Sequence, residues 1–254
     1  MRVASAPSLS GVNYLGLPLL AWAATGDVGA GDPQRLHPPT TLSPRDTLRG
    51  FLDAADRLAA KKQETGAFDE ESYRQLIDFQ IENGTDVIVP CGTTGESATL
   101  DFEEHEYVIK VCIEQVNKRV PVIAGTGANN TAEAIHLSKN AKAMGADGLL
   151  LVCPYYNKPS QEGIFQHFMA VADAVPKPVM MYNVPGRTVA DMQAETAARL
   201  AGHDNIFGIK EATGDIGRLE EIQALVDDES FMFYSGDDFT AREFLEQGGH
   251  GIVT

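Results

Sequence analysis

The chain has 254 residues and is 43% hydrophobic, which is ordinary for a globular protein with a sizeable core. Its 36 Asp and Glu residues outnumber 20 Lys and Arg, and the resulting net charge of -16 argues against nucleic acid or anionic membrane as a general partner. No apolar stretch reaches the roughly 18 residues that a membrane-spanning helix needs. The length fits two small domains or one α/β barrel.

Residues 1–65 form an atypical N-terminal segment, which we predict to be partly disordered or helical. It is rich in Gly, Pro, Ser and Thr, and it contains one short apolar run, Tyr14–Ala24. Arg2 is its only charged side chain before Asp27, so a targeting peptide is an alternative interpretation, although no clear cleavage signal is present. A separate barrel domain is predicted over residues 66–254.

From residue 66 onward, a short β-branched apolar run, a loop with Gly or Pro and an amphipathic helical stretch recur every ~20 to 34 residues, the size of a βα unit. The runs are Asp86–Pro90, Val120–Ala124, Gly148–Cys153, Pro178–Tyr182, Ile206–Lys210, Phe231–Tyr234 and His250–Val253. Continuous apolar strands are buried on both faces, as in a parallel sheet. Repeated units of this kind favour a (β/α)8 TIM barrel over an open doubly wound sheet.

Several residues mark the ends of the predicted helices. Asp101 with Glu104 resembles a capping box at the start of one helix. We further predict N-caps at Thr131 and Asp215, and residues just past a helix end at Gly145 and Gly248.

The three cysteines, Cys91, Cys112 and Cys153, form no CxxC pair and have no metal-ligand spacing with the six histidines. We therefore predict buried free thiols in a reducing cytosol and no metal site.

Lys210 is the strongest candidate for a reactive group, because it ends the apolar run Ile206–Ile209. A lysine buried there should have a lowered pKa, and its neutral amine can form a Schiff base with a ketone. The alternative is a solvated lysine just past a strand. The segments Gly92–Ser97 and Tyr182–Arg187 also follow apolar runs. Since the carboxyl ends of parallel strands share one edge, the three segments predict one active site.

Six motifs resemble the dihydrodipicolinate synthase / N-acetylneuraminate lyase family of Schiff-base aldolases, in family order and spacing. They are Gly92–Leu100, Gly125–Asn129, Pro154–Pro159, Tyr182–Thr188, Gly208–Ala212 and Ser235–Asp238. The resemblance runs from about Gly66 to Thr254. It implies a lyase that condenses pyruvate with L-aspartate-4-semialdehyde to 4-hydroxy-tetrahydrodipicolinate, in diaminopimelate and lysine biosynthesis.

The resemblance also implies a covalent lysine imine in place of a cofactor, a homotetramer built as a dimer of dimers, and a cytoplasmic location. A plastid is the alternative location if the N-terminus is a transit peptide. Two other functional interpretations stay open: another 2-keto-acid aldolase of the same superfamily, and a catalytically inactive fragment.

Catalytic roles follow from the same resemblance. Lys210 is expected to form the imine with pyruvate, and Tyr182 to shuttle protons beside it. Thr93 is expected to link this tyrosine to Tyr156. In the family, the residue at this position enters the site from the other chain of a dimer. The alternatives are a packed aromatic side chain for Tyr182 and a loop aromatic packed on its own barrel for Tyr156.

For the substrates, the resemblance implies that Thr94 and the backbone of its glycine loop hold the pyruvate carboxylate. A phosphate loop is the other interpretation, but the lysine of that motif is absent. Arg187 is expected to hold the second carboxylate, which aspartate semialdehyde supplies, unless it pairs with a nearby acid. Gly236 and Val253 are the remaining expected substrate-binding residues.

A regulatory site for L-lysine is implied by residues that match the family's feedback site: Ser97, Ala98, His105, Asn129, Glu133 and Tyr155. Phe102 stands where some members carry a polar residue. The alternative is that His105 and Glu133 are ordinary residues near helix starts.

Two departures from the family pattern predict an incomplete barrel. The polar segment Lys61–Thr65 stands where the family has its first strand, and the sequence stops at Gly251–Thr254, within the eighth strand. From the resemblance we expect the last barrel helix and the C-terminal helical domain to be missing and strands two and eight to expose their edges.

Overall fold

The structure is a computed structural model that describes residues 68–253, so the predicted segment 1–65 and its boundary lie outside the described residues. The helices are α1 (Glu70–Glu82), α2 (Phe102–Val116), α3 (Thr131–Met144), α4 (Gln161–Ala174), α5 (Pro185–Thr188), α6 (Ala194–Ala201), α7 (Ile216–Gln223) and α8 (Ala241–Glu246). The strands are β1 (Ile123–Gly125), β2 (Gly148–Val152), β3 (Val179–Asn183), β4 (Ile206–Glu211), β5 (Met232–Ser235) and β6 (Gly251–Ile252). A 3-10 turn covers Ser97–Thr99. Among the described residues, no helix is both long and apolar enough to cross a membrane.

The six strands form one parallel sheet in the order β1-β2-β3-β4-β5-β6, so each strand pairs with the next one along the chain. A doubly wound sheet reverses its strand order at a switch point, and this sheet does not. The described residues therefore form part of a (β/α)8 barrel, which confirms the predicted fold class.

The predicted strand Asp86–Pro90 is wrong as a regular strand. Within the described residues, this segment forms one isolated parallel bridge, between Ile88 and Val122, and its Ile88 and Pro90 carbonyl oxygens accept the N–H groups of Ile123 and Gly125 on β1. Pro90 has no backbone N–H to donate to a ladder, and Cys91 follows it with a left-handed φ of 55°. The segment lies beside β1 but leaves the sheet after a few residues.

The pairing of β3 with β4 contains a bulge. Val179 pairs with Ile206 but Met180 pairs with Gly208, so one extra residue is accommodated on β4. A Cβ at Gly208 would lie 2.5 Å from the carbonyl oxygen of Met232, so the close approach of β5 requires glycine here.

Most of the predicted helix ends are confirmed. The Asp101 carboxylate accepts the backbone N–H of Glu104 at 2.8 Å, and Asp215 caps α7 in the same way. The prediction of Thr131 as an N-cap is wrong by one residue, because Asn130 caps α3 and Thr131 is already helical. Both residue types can cap, and the extended backbone of Asn130 decides between them. The remaining two predicted positions, Gly145 and Gly248, have left-handed φ values at the ends of α3 and α8.

The core lies between the sheet and the helices that cover it. Its fully buried side chains include Phe168, Met181, Met192, Leu200 and Ile209. The three cysteines are buried free thiols, as predicted. Burial raises the pKa of each thiol, to about 12 for Cys112.

Candidate active site

Lys210 lies on β4 directly opposite Tyr182 on β3. It is 9% exposed, and its Nζ atom lies 4.4 Å from the centre of the Tyr182 ring. Burial lowers the pKa of Lys210 from 10.5 to about 8; the nearby charge of Asp238 raises it in part, and that of Arg187 lowers it further. Lys210 is therefore a buried amine with an accessible neutral form, and the alternative of a solvated lysine does not fit its position.

Tyr182 and Thr93 are brought together by the structure. Tyr182 is buried, and its side chain hydrogen-bonds to that of Thr93, which lies in the exposed loop after the Asp86–Pro90 segment. Burial raises the pKa of the Tyr182 phenol, while the hydrogen bond and the charge of Arg187 act in the opposite direction. The phenol therefore keeps its proton at neutral pH and is connected to an exposed hydroxyl.

Tyr156 is separate from this pair. It is 88% exposed, with a left-handed φ of 72°. Its backbone N–H donates to the carbonyl oxygen of Thr188 at 3.4 Å. Within residues 68–253, no hydrogen bond joins its hydroxyl to Thr93. The exposure also argues against the alternative that this ring packs on its own barrel.

Arg187 lies on α5, the short helix that follows β3, and its side chain is exposed. Within the described part of the chain it forms no ion pair, so the alternative of a structural ion pair is not observed. Its positive charge lowers the pKa of both Lys210 and Tyr182. Arg187 is therefore a cation at the rim of the site, available to an anionic ligand.

Thr94 and Val253 lie at the periphery of the site. Thr94 is exposed in the glycine loop, which is held by backbone hydrogen bonds such as the one from the Glu96 N–H to the Thr93 carbonyl oxygen at 3.1 Å. Val253 follows β6, and its N–H donates to the carbonyl oxygen of Ser235 at 2.8 Å. No described contact assigns either residue to a substrate.

Gly236 makes room for the lysine side chain. A Cβ at this position would lie 2.6 Å from Cε and 3.0 Å from Cγ of Lys210, and 2.9 Å from the Cβ of Ala212. No real Cβ tolerates the first of these distances, so the absence of a side chain at Gly236 lets Lys210 occupy its observed position.

Three of the six residues predicted to bind L-lysine adjoin one another. Burial raises the pKa of Tyr155, the charge of Glu133 raises it further, and a hydrogen bond with the backbone of Asn129 lowers it. His105 is buried on α2 with an unpartnered Nδ1 atom, while Ser97 and Ala98 lie on the 3-10 turn. In the described residues, no hydrogen bond or ion pair joins Ser97, Ala98 or His105 to Tyr155.

The sequence patterns did not single out a buried polar group behind the reactive pair. Asn183 follows Tyr182 on β3 and Glu211 follows Lys210 on β4, and both are almost fully buried. They are joined to Asp191 and Arg218 by hydrogen bonds. The available signal was an amide and a carboxylate at the ends of apolar strands, where burial requires partners.

Residues 55–254 match the sequence profile of the Dihydrodipicolinate synthetase family. The chain is 62% identical to the 4-hydroxy-tetrahydrodipicolinate synthase of Syntrophotalea carbinolica over 189 residues, which cover 74% of this chain and 64% of the relative. It is 60% identical to the enzyme of the same name from Geobacter sulfurreducens, again over 74% of this chain and 65% of the relative. The chain thus spans about two thirds of the length of these relatives, slightly less in each case.

Solved structures give the same result. The dihydrodipicolinate synthase of Acinetobacter baumannii complexed with pyruvate matches with a TM-score of 0.72 and 53% identity, over 74% of this chain and 65% of that one. The Cyanidioschyzon merolae enzyme with lysine bound matches with a TM-score of 0.71 and 43% identity, over 74% and 63% of the two chains. From its profile match, its relatives and its fold, the chain belongs to the Dihydrodipicolinate synthetase family.

Proposed function

We propose that this chain carries the Schiff-base centre of a 4-hydroxy-tetrahydrodipicolinate synthase, which condenses pyruvate with L-aspartate-4-semialdehyde. The observation that supports this most directly is the buried Lys210, whose amine lies over the Tyr182 ring and has a pKa of about 8. The names of the relatives support the same reaction.

In this proposal the neutral Lys210 amine attacks the pyruvate ketone, and the resulting carbinolamine loses water to give a protonated imine. The imine accepts electrons from the adjacent methyl carbon when that carbon releases a proton, which produces an enamine. The enamine carbon then forms a bond to the aldehyde carbon of the second substrate. The protonated imine on Lys210 is the electron sink of the reaction. We therefore keep the prediction that the reaction needs no cofactor.

Tyr182 is proposed to transfer protons during imine formation and carbon–carbon bond formation. Its raised pKa keeps the phenol protonated at neutral pH, so it can act as an acid but needs a relay to exchange its proton with solvent. The hydrogen bond to Thr93 supports the first step of that relay. The second step, to Tyr156, requires a Tyr156 from a partner chain, and the 88% exposure of this side chain supports that role. The expected dimer of dimers stays a prediction.

Substrate binding is proposed at the rim of the same site. The Thr94 loop would hold the pyruvate carboxylate and Arg187 the carboxylate of aspartate semialdehyde, with Gly236 and Val253 lining the site. Arg187 separates this function from the runner-up, another 2-keto-acid aldolase, because the unpaired cation suits a second substrate with its own carboxylate.

L-lysine is proposed as an effector at the site that contains Tyr155, Glu133 and Asn129. Their proximity supports this, as does the relative from Cyanidioschyzon merolae, which was solved with lysine bound. The cytoplasmic location and its plastid alternative stay predictions.

Trapping with borohydride tests the central proposal. The protein is mixed with pyruvate and reduced, and its intact and peptide masses are measured. We expect a pyruvate-sized adduct on Lys210, while exposed lysines such as Lys110 serve as internal controls that stay unmodified. A folded protein that gives no adduct would favour the inactive-fragment interpretation.

A further inference from the structure

The buried polar group behind the reactive pair, which we call the outer-face cluster, consists of Asn183, Glu211, Asp191 and Arg218. Successive side chains of a strand point to opposite faces of the sheet. Asn183 and Glu211 therefore point away from the face that carries Tyr182 and Lys210, towards the helices. Each member of the reactive pair thus has an outer-face cluster residue as its immediate neighbour in the chain.

The Asn183 side chain uses its full hydrogen-bonding capacity. Its Nδ2 donates to Asp191 Oδ1 at 3.0 Å and to Glu211 Oε2 at 3.1 Å. Its Oδ1 accepts the Met192 N–H at 3.0 Å and the Cys153 thiol at 3.8 Å. A primary amide has two donors and two acceptor positions, so no reversed orientation of the amide would satisfy these partners. Asn183 is fully buried, and from β3 this single side chain contacts β4, the residue after β2 and the segment before α6.

The carboxylates on either side of the amide are themselves fixed. Arg218 makes a two-pronged contact with Asp191, at 2.9 Å and 3.1 Å. Glu211 Oε1 accepts the Thr213 N–H at 2.8 Å. Glu211 is buried, so its carboxylate would be strongly unfavourable without these donors, whereas the half-buried Asp191 is held by its ion pair with Arg218.

The outer-face cluster is compatible with one register of β4 against β3. Because of the bulge, Tyr182 pairs with Lys210 and Asn183 pairs with Glu211. Without the extra residue on β4, Tyr182 would pair with Ile209, and Lys210 would move to the position opposite Asn183. A slip of one residue also turns each side chain to the other face of a strand. The contact between the Asn183 amide and the Glu211 carboxylate therefore exists only in the register that places Lys210 beside Tyr182.

We infer that Asn183 is a positioning residue, which holds the register and spacing of the Tyr182–Lys210 pair through its hydrogen bonds to Glu211 and Asp191. The inference rests on the proposed function, because it concerns the same imine-forming centre. Asn183 does not touch the substrate in this role. It acts through the two strands on which the reactive groups are carried.

Two variants test the inference by the rate of pyruvate imine formation as a function of pH, measured by borohydride trapping. Asn183→Leu introduces a side chain of similar size that has no polar atoms, so it removes every hydrogen bond of the amide. In Glu211→Gln one of the two carboxylate oxygens becomes an NH2 group. With Oε1 still accepting the Thr213 N–H, this NH2 group faces the Asn183 Nδ2 donor, and the 3.1 Å hydrogen bond between the two side chains is lost. We expect the rate to fall by about tenfold to a hundredfold in both, because a displacement near 1 Å has effects of this size.

The midpoint of the rate-against-pH curve, the pH at which imine formation reaches half its maximal rate, distinguishes lost positioning from a simple charge effect. The charged and titratable groups that face Lys210 are Tyr182, Arg187 and Asp238, and neither variant changes them. Loosening of Lys210 exposes it to water and raises the midpoint from about 8 towards 10.5. Loss of the Glu211 charge alone would lower it, so an upward shift in Glu211→Gln indicates lost positioning.

Val171→Ala is the matched control, since it truncates a fully buried side chain on α4 and lowers stability, while every hydrogen bond of the outer-face cluster is kept. The inference is overturned if Val171→Ala shifts the midpoint equally, or if both test variants keep the wild-type rate and midpoint. Should Asn183→Leu fail to fold, Glu211→Gln alone decides the question. A wild-type protein that traps no pyruvate refutes the proposed function and this inference with it, whereas trapping by the wild type and unchanged variants refutes the inference alone.

Discussion

Replacing Lys210 by methionine removes a buried amine and keeps a flexible side chain of similar length. The pKa of this lysine is lowered from 10.5 to about 8 by burial, so the folded protein holds its proton less tightly than the unfolded chain does. Each pKa unit corresponds to about 1.4 kcal/mol, so the folded state is disfavoured by about 3 kcal/mol at neutral pH. Lys210→Met should therefore increase the free energy of unfolding by up to about 3 kcal/mol while abolishing imine formation.

The sign of the pH dependence follows from the same two pKa values. Between pH 8 and 10.5 the unfolded chain keeps the lysine proton and the folded protein releases it. Stability of the wild type rises with pH wherever the unfolded state binds more protons. The advantage of the Lys210→Met variant is therefore largest below pH 8, shrinks as the pH rises through this window, and is absent above 10.5.

Urea unfolding of both proteins at a series of pH values measures this difference, and comparing the two removes the contributions of all other titrating groups. Lys110→Met is the control, because the Lys110 side chain is 58% exposed and its replacement should change stability by no more than about 0.5 kcal/mol. If Lys210→Met is no more stable than the wild type at pH 7, or if its advantage does not change with pH, burial of Lys210 does not cost the folded state the free energy stated above.

Three further predictions concern Gly236, Arg187 and the proposed site for L-lysine. In Gly236→Ala the added methyl group would lie 2.6 Å from Lys210 Cε, so the lysine must move by about 1 Å and imine formation should slow by up to about a hundredfold. Gly202→Ala, at an exposed helix end with only an ordinary contact, should trap pyruvate at the wild-type rate; equal rates in both variants would contradict the steric argument. Arg187→Ala should raise the KM for aspartate semialdehyde by at least about tenfold and leave imine formation intact, and steady-state kinetics with trapping would expose an error if both fell together. Millimolar L-lysine should inhibit through the site that contains Tyr155, and a flat activity curve over that range would exclude the effector.

Much of the fold could be predicted because buried strands appear in the sequence as continuous apolar runs. The apolar runs that form β1 to β5 are buried along almost their whole length, and Lys210 stands near the end of one of them, whereas the short β6 is partly exposed. The Asp86–Pro90 run has a similar composition, yet it makes one bridge and a few backbone hydrogen bonds to β1 and no regular strand, because Pro90 donates no N–H and Cys91 turns the backbone away. Composition records which residues are buried, but it does not record whether their backbones pair.

The outer-face cluster and the bulge could not be predicted in the same way. The partners of Asn183 include Glu211, 28 residues away in the chain, and their contact depends on a register shift that no residue pattern marks. The Thr131 prediction failed for a related reason, since Asn130 beside it caps equally well and backbone geometry decides between them. Such features arise from pairing between distant segments, and the local chemistry of either segment alone does not specify them.

The position of the reactive pair within the strand order has a consequence for local unfolding. Among the described residues, Tyr182 and Lys210 lie on β3 and β4, the middle two of six strands, with two more strands on each side. Openings that begin at β1 or β6 must pass through two strands before they reach the pair. In hydrogen exchange under native conditions, the amides of β3 and β4 should therefore be the slowest to exchange, and amides of β6 should exchange while the lysine still reacts with pyruvate. The imine-forming centre therefore lies on the strands that are expected to open last.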